Sequence, residues 1–473
     1  MINTNRMAPP IGPLALDYIA GAAGAAGIDV DIVDLSLVED VSKALQDYFS
    51  AHSPQLVGLS FRNVDDCFWP SAQSFVPDLT ELVSQLRNLT DAAIVIGGVG
   101  FSIFAERIVE QTGADFGVRG DGEQAIISLL NELQQSKRFA LVPGLLWRDN
   151  GAVCSNKPAW PWPLSLPTSR TAINNLAYLQ QGGQCGIETK RGCDRNCIYC
   201  ADPLAKGPTL RLRKPREVAD EVESLIAQGV DVLHLCDSEF NISRKHASEI
   251  CGEFIRRSLR DKVRWYTYMA VRPFDAELAK VMRLAGCVGI DFTGDSASTS
   301  VLDYYRAGHR REDLASAVRL CRDNGIKVMI DLLLGGPGET PETLAETIDY
   351  VKKIGPDAAG APLGVRVYPG TEMADILARE GPAETNPNVR RKYHGPVDLF
   401  EPTFYISQAL GPEPARLVKD LIAGDKRFFE PMEELPQTAG PSTDHNYNEN
   451  LELVEAIEGG ARGAYWDILR RLR

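Results

Sequence analysis

Three cysteines stand much closer together than the others: Cys193-Asp-Arg-Asn-Cys197-Ile-Tyr-Cys200, a C-x3-C-x2-C run directly after Thr189-Lys-Arg-Gly192. The chain has ten cysteines. Those at 67, 154, 185, 236, 251, 287 and 321 are scattered and read as small buried hydrophobes. Bunched thiols in a reducing compartment bind metal rather than pair as disulfides. Zinc favours four tetrahedral ligands, commonly as two separated pairs. Three thiolates on one short loop suit a [4Fe-4S] cube, one cysteine to each of three irons, with the fourth iron open to a small chelating molecule. Cys185 is the alternative fourth ligand, which would leave a closed electron-transfer cluster.

A loop of this kind needs a rigid support, and the surrounding sequence supplies one. From about residue 186 to 370, short β-branched runs alternate with longer amphipathic segments. The runs 187–190, 232–236, 263–268, 288–292, 327–334 and 364–367 read as strands, and 215–228 is typical of the intervening helices. Strands separated by helices imply parallel βαβ units, and six of them make a partial barrel whose chemistry sits at the C-terminal strand ends. The cysteine loop follows the first such strand.

The cysteine spacing, with the aromatic Tyr199 before the last cysteine, resembles the signature of the radical S-adenosylmethionine (SAM) superfamily. Later turns are similar to that superfamily as well. Asp237-Ser-Glu-Phe-Asn241 follows the second strand and resembles the segment that holds the amino end of SAM, through Asp237 and Glu239. Gly294-Asp-Ser-Ala-Ser298 stands where relatives carry Gly-x-Glu-Ser, with Asp295 replacing the ribose-contacting glutamate. Leu334-Gly-Gly-Pro-Gly-Glu-Thr340 resembles the turn after the fifth strand, where Gly335 lets backbone approach SAM. It is not a phosphate-cradling P-loop, because no Gly-Lys-[Ser/Thr] follows. Val367-Tyr-Pro-Gly-Thr371 closes the sixth unit.

Residues 1–135 read as a separate doubly wound, flavodoxin-like α/β unit, with strands at 1–3, 29–33, 56–60, 93–96 and 114–118. Its helices are expected at 13–26, 42–50, 77–88, 103–111 and 123–133. Its loops Asn3–Gly12, Leu59–Arg62, Ile96–Ser102 and Arg119–Glu123 resemble the cobalamin-binding domain fused to many radical SAM enzymes. The resemblance implies that Asn5, Arg6, Ser60, Gly97, Gly98 and Gly120 contact cobalamin. The Asp-x-His-x-x-Gly motif that ligates cobalt in the mutases is missing, and the sole histidine before residue 200 is His52, so no protein histidine is expected on cobalt. Arg62, in a Ser-Phe-Arg-Asn turn reminiscent of the cobalamin-dependent tryptophan methyltransferase group, is expected near the lower cobalamin face. There a cation would disfavour a sixth ligand.

Residues 136–185, with Trp147, Trp160, Pro161, Trp162 and Pro163, read as a packed linker without regular elements. Residues 186–375 are expected to be the barrel and 376–473 a small, mainly helical cap, with His394, Tyr405 and Tyr447 read first as core packing and second as substrate contacts, and Pro431–Pro441 as a loop. The net charge of −14 argues against nucleic acid as a partner. No apolar run is long enough to span a membrane and no signal peptide is apparent, so a cytoplasmic protein is expected. The family resemblance implies a methyltransferase that moves a methyl group from SAM via cobalamin to a carbon or phosphorus centre of a small molecule. Electrons would come from a donor such as flavodoxin or ferredoxin. Non-methylating cyclisation, ring contraction or rearrangement is the alternative. No catalytic acid or base stands out.

Overall fold

The computed structural model describes residues 1–432 and 447–473, so most of the expected 431–441 loop lies outside the described residues. The N-terminal unit is built on a seven-stranded sheet. Its five parallel strands run in the order Val33–Asp34, Ile2–Asn3, Leu56–Ser60, Ala93–Gly97, Phe116–Val118, the doubly wound arrangement the patterning implied. Fully buried Ile94, Val95 and Ile96 occupy its centre. The expected strand at 29–33 is confined to Val33–Asp34, and the helix expected at 103–111 begins at Ala105, after a short turn of helix at Val99–Ile103.

The stretch read as a linker contains regular structure. Leu145–Asp149 and Ala152–Ser155 form a hairpin that extends the same sheet antiparallel from Phe116–Val118, and Asn175–Gly182 is a helix. The prolines that suggested an irregular connector follow the hairpin and leave its ladder intact, and Leu145 and Leu146 are fully buried.

The barrel sheet also has seven strands, all parallel: Cys185–Ile187, Val232–Leu235, Arg264–Ala270, Cys287–Asp295, Lys327–Leu332, Ala358–Gly360 and Phe428–Phe429. One expected strand is displaced. The sixth strand is Ala358-Ala-Gly360, whose small side chains carry no β signal but fit a fully buried slot. Val365–Arg366, within the run expected to be that strand, instead pairs antiparallel with Phe404–Tyr405 in a separate three-stranded sheet. The C-terminal segment carries the helices Pro414–Ile422, Leu451–Glu458 and Tyr465–Leu472. The last of these closes the open barrel: Trp466 packs on Tyr266, and the Tyr266 hydroxyl donates to Asp467 at 2.9 Å. Among the described residues no helix is long and apolar enough to cross a membrane.

A buried polar network joins the two units. Arg170, from the connecting segment, donates to Asp17 of the N-terminal helix Leu14–Ala25 at 2.5 Å and to Glu221 of the barrel helix Pro215–Ala227 at 2.7 Å. Arg213 donates to the other Glu221 oxygen at 2.6 Å, and the Tyr18 hydroxyl donates to Glu221 at 2.8 Å. The guanidinium groups of Arg170, Arg191 and Arg213 all lie within 5.8 Å of the Tyr18 ring centre. These side chains are essentially inaccessible, so each charge depends on its partner. Asp17→Asn removes half of the negative charge facing Arg170 and is expected to cost about 3–5 kcal/mol of stability. Tyr18→Phe, which loses one hydroxyl, is expected to cost about 1–2 kcal/mol. Urea unfolding followed by tryptophan fluorescence reads both, and an unchanged midpoint in Asp17→Asn would contradict this role.

Candidate functional site

The cysteine loop leaves the first barrel strand through a short ribbon in which Lys190–Arg191 pairs antiparallel with Arg211–Leu212. Backbone contacts fix its course. The Cys193 amide donates to the Gly207 carbonyl at 3.1 Å, the Ile198 amide to Tyr305, and the Met373 amide to the Ile198 carbonyl. None of the three cysteines is in a disulfide. Burial is the main cause that raises their thiol pKa values, Cys197 to about 12; the Cys193 thiol adds to the rise at Cys197, and the Cys193 and Cys197 thiols add to the rise at Cys200. Three thiols, Cys193 buried and Cys197 and Cys200 partly so, close enough to oppose ionisation are a donor set for a cationic iron–sulfur core. Among the described residues no three His, Cys, Asp or Glu side chains converge tightly enough for a lone ion, whereas a cube with one iron per cysteine spaces its ligands more widely.

Most of the polar residues expected to touch SAM are engaged in holding this loop. Asp237, expected at the amino end of SAM, accepts from the amides of Thr189 and Lys190 and from the Thr189 hydroxyl, so both its oxygens anchor the segment that enters the loop. Tyr199 donates to Asp295 at 2.7 Å, and Asp295, at φ 54°, is buried with its pKa raised by burial to about 6. The Gly335 amide, expected to face SAM, donates to the buried Glu339 carboxylate. The following glycine is required because the Tyr305 ring lies where a Cβ at Gly336 would stand.

Glu239 differs from these. Thr293 donates to one of its oxygens at 2.7 Å, the other is buried without a partner, and burial raises its pKa to about 7. Lys190, unremarked in the sequence, is fully buried with its ammonium unpartnered, and its charge acts on both Glu239 and Cys193. An orphaned cation and an orphaned carboxylate oxygen beside three thiols fit a cluster with an amino-acid chelate, such as the methionyl end of SAM.

Between the two units lies a cavity of about 520 Å³. The C-terminal ends of the parallel N-terminal strands line one side with Asn3, Ser60, Gly97 and Val118, joined by Asn5, Arg62, Gly98 and Gly120 from the following loops. Gly97 leaves the space open, because a Cβ there would meet only the Val118 carbonyl, at 3.6 Å. Gly98, at φ 116°, serves another purpose: the Phe61 carbonyl occupies the place of its side chain, so two strand-end loops can close on each other. Asn5 caps the amide of Met7 at 2.9 Å. Arg6 is not on this cavity; it is exposed and borders an adjoining one of about 500 Å³. In the loop Arg119–Glu123, Asp121 and Glu123 pair with Arg211 and Arg191 of the ribbon that supports the cysteines. The loop thus docks the two units together while Gly120 faces the cavity.

The barrel lines the opposite side with His234, Cys236 and Tyr268. Burial, assisted by Arg62, lowers the His234 pKa to about 4, so its imidazole is neutral at pH 7. Its ring lies 4.7 Å from that of Tyr268. Sequence reasoning found no histidine in the N-terminal loops; His234 reaches the same cavity from a barrel strand, where alternation marks it merely as inward-facing. Of the cap residues, Tyr447 lines the cavity, and the Tyr405 hydroxyl donates to Glu380 at 2.8 Å. A chain that presents Arg62 and the open face of Gly97 across one cavity from a cysteine-loop barrel can bring a flat corrin-type cofactor over a barrel-bound ligand.

Comparison with known proteins agrees with both halves. Residues 187–351 match the radical SAM superfamily and residues 2–130 the B12 binding domain. The tryptophan 2-C-methyltransferase of Streptomyces laurentii is 30% identical over 98% of this chain and 94% of its own length. The anaerobic magnesium-protoporphyrin IX monomethyl ester cyclase of Cereibacter sphaeroides is 31% identical over 58% of this chain and 47% of its own. The solved structure of the radical SAM methyltransferase TsrM from Kitasatospora setae, with tryptophan and a SAM analogue bound, superposes with a TM-score of 0.92 at 31% identity, covering 100% of this chain and 98% of that one. The chain therefore belongs to the cobalamin-binding radical SAM enzymes, with cobalamin, a [4Fe-4S] cluster and SAM as its cofactors, in the branch that includes the tryptophan methyltransferases.

Proposed function

We propose that this enzyme transfers a methyl group from SAM, by way of cobalamin, to a ring carbon of an aromatic amino acid, with tryptophan the first substrate to test. The observation that carries the reading is the single cavity shared by the N-terminal strand ends and the barrel wall, with the aromatic Tyr268 half-exposed inside the fold. Likeness over the full length to enzymes named for tryptophan methylation supports it. The cofactors together supply an electrophilic methyl group and an iron site that chelates SAM. The chain's own residues do the rest: Cys193, Cys197 and Cys200 hold the cluster, while Glu239 and Lys190 meet the amino and carboxylate groups of SAM. Ser60, Gly97, Gly98 and Gly120 border cobalamin, and Arg62 stands near its lower face. A cytoplasmic location and a flavodoxin- or ferredoxin-type electron donor belong to the same proposal.

Anaerobic incubation of the reconstituted enzyme with SAM, L-tryptophan and a low-potential reductant such as dithionite is expected to yield S-adenosylhomocysteine and a singly methylated indole. Accompanying 5′-deoxyadenosine marks a radical route and its absence a polar one; deoxyadenosine with no methylated product would favour the cyclising alternative. Cys197→Ala is expected to lose cluster iron and SAM turnover but to keep cobalamin, which absorbance and metal analysis read separately. Arg62→Lys, which moves the charge and loses the planar fork, is expected to slow methyl transfer about 10-fold or more. An unchanged rate would remove Arg62 from the mechanism.

A further inference from the structure

The barrel lumen holds a buried acid that none of the assignments above uses. Along Cys287–Asp295, Ile290 and Phe292 face outward into the core, so Gly289, Asp291, Thr293 and Asp295 face inward. Gly289 lies against Tyr266 and Trp466 at the closed end, where a Cβ would come within 2.6 Å of the Tyr266 ring. Thr293 and Asp295 are bonded to Glu239 and Tyr199 at the mouth. Asp291 lies between these layers, 4% exposed, with Oδ1 accepting no hydrogen bond. Burial favours its neutral acid, and the negative charges of Asp331 and Glu239 act in the same direction. Among the described residues it forms no ion pair. A buried acid left without a hydrogen-bonding partner is unfavourable, and a protein that retains one keeps it for a ligand or for chemistry.

The surroundings indicate what the ligand carries. Asp331 stands on the neighbouring strand, opposite Thr293 and so one inward position along from Asp291. Tyr268, directly opposite Asp291 on the other side, is 44% exposed although it lies inside the fold. Tyr268 and Tyr447 both border the cavity between the two units, and the charges of Asp291 and Asp331, which lie beneath its lining, act on Tyr447. Two acids on adjacent strands, beneath the partly exposed Tyr268 ring, match a cation attached to an aromatic body. Glu239, beside the cysteine loop, is a different place, and it is the one suited to the amino group of SAM.

We infer that Asp291, with Asp331 beside it, is the anchor for the primary ammonium group of the substrate, and that Tyr268 packs on its aromatic ring. This rests on the amino-acid reading proposed above and adds the group that selects for it. The ammonium completes the hydrogen bonding of Asp291 and offsets the repulsion between the two carboxylates. Substrates that lack the amine are rejected because the lumen then keeps an unpaired buried acid.

Anaerobic calorimetric titration of the holoenzyme with L-tryptophan, tryptamine and indole-3-propionate tests this. Wild type is expected to bind the two amines about 10- to 100-fold more tightly than indole-3-propionate, the range of a charged hydrogen bond. Asp291→Asn, nearly isosteric, is expected to abolish that preference while leaving indole-3-propionate and SAM affinities and the cobalamin and iron content unchanged. Equal losses for all three indoles, or a loss confined to SAM, would overturn the inference, as would absence of an amine preference in wild type, a readout that requires no variant. If no indole binds, the tryptophan reading fails by itself. Asp291 is then judged on phenylalanine against 3-phenylpropionate and tyrosine against its des-amino analogue. Binding without preference for the amine in that series, or no binding at all, would overturn it.

Discussion

The enclosed ion network around Tyr18 is the constraint on which the rest of the molecule depends. Arg170 and Arg213 share Glu221, Arg170 also holds Asp17, and Tyr18 fills the space between the guanidinium groups. Charges sealed from water tolerate no slippage, because a shift of an ångström would leave one of them unpaired. A hydrophobic interface of the same size would be more forgiving. The partners come from the N-terminal helix, the connecting segment and the barrel, so their pairing fixes one unit over the other. The Asp121–Arg211 and Glu123–Arg191 pairs extend the same lock to the ribbon beneath the cysteine loop. On another side, Asp65 and Arg366 pair at 2.9 Å with both side chains buried.

That rigidity suits an enzyme that uses two large cofactors on one substrate, since the reacting atoms must meet within a few tenths of an ångström. The chain meets the demand with polar residues that position other residues. Asp237 holds the entry to the cysteine loop, Asp295 holds Tyr199, and Glu339 holds the Gly335 turn. Once these are accounted for, the buried polar atoms left without partners are informative, among them Lys190 Nζ and Glu239 Oε2 near the cysteine loop and Asp291 Oδ1 deeper in the lumen. On the proposals made above, that spacing along the barrel axis would separate a cofactor end from a substrate end.

Legibility in the sequence followed the strength of local signals. Leu56–Ser60 and most of the long barrel strands were readable because β-branched runs bounded by glycine or aspartate have few other outcomes. Ala358–Gly360 was not, because three small residues acquire strand character from the slot they fill, and Val365–Arg366 was drawn to the wrong sheet by a pattern that satisfies either. The hairpin at 145–155 was hidden by the tryptophans and prolines that follow it.

The sequence alone determined the chemistry at hand: three thiols on one loop, glycines at the strand ends, Arg62 in place of a histidine in the N-terminal loops, and two α/β units in a fixed order. These are properties of residue type and short spacing, set within a few residues of chain. The tertiary structure decided how each acid is used. Asp237, Asp291, Asp295 and Asp331 are alike in sequence and all end in the barrel interior. Which of them anchors a loop and which remains open to a ligand depends on hydrogen-bond donors brought from distant parts of the chain. It depends equally on burial, which neither composition nor spacing encodes.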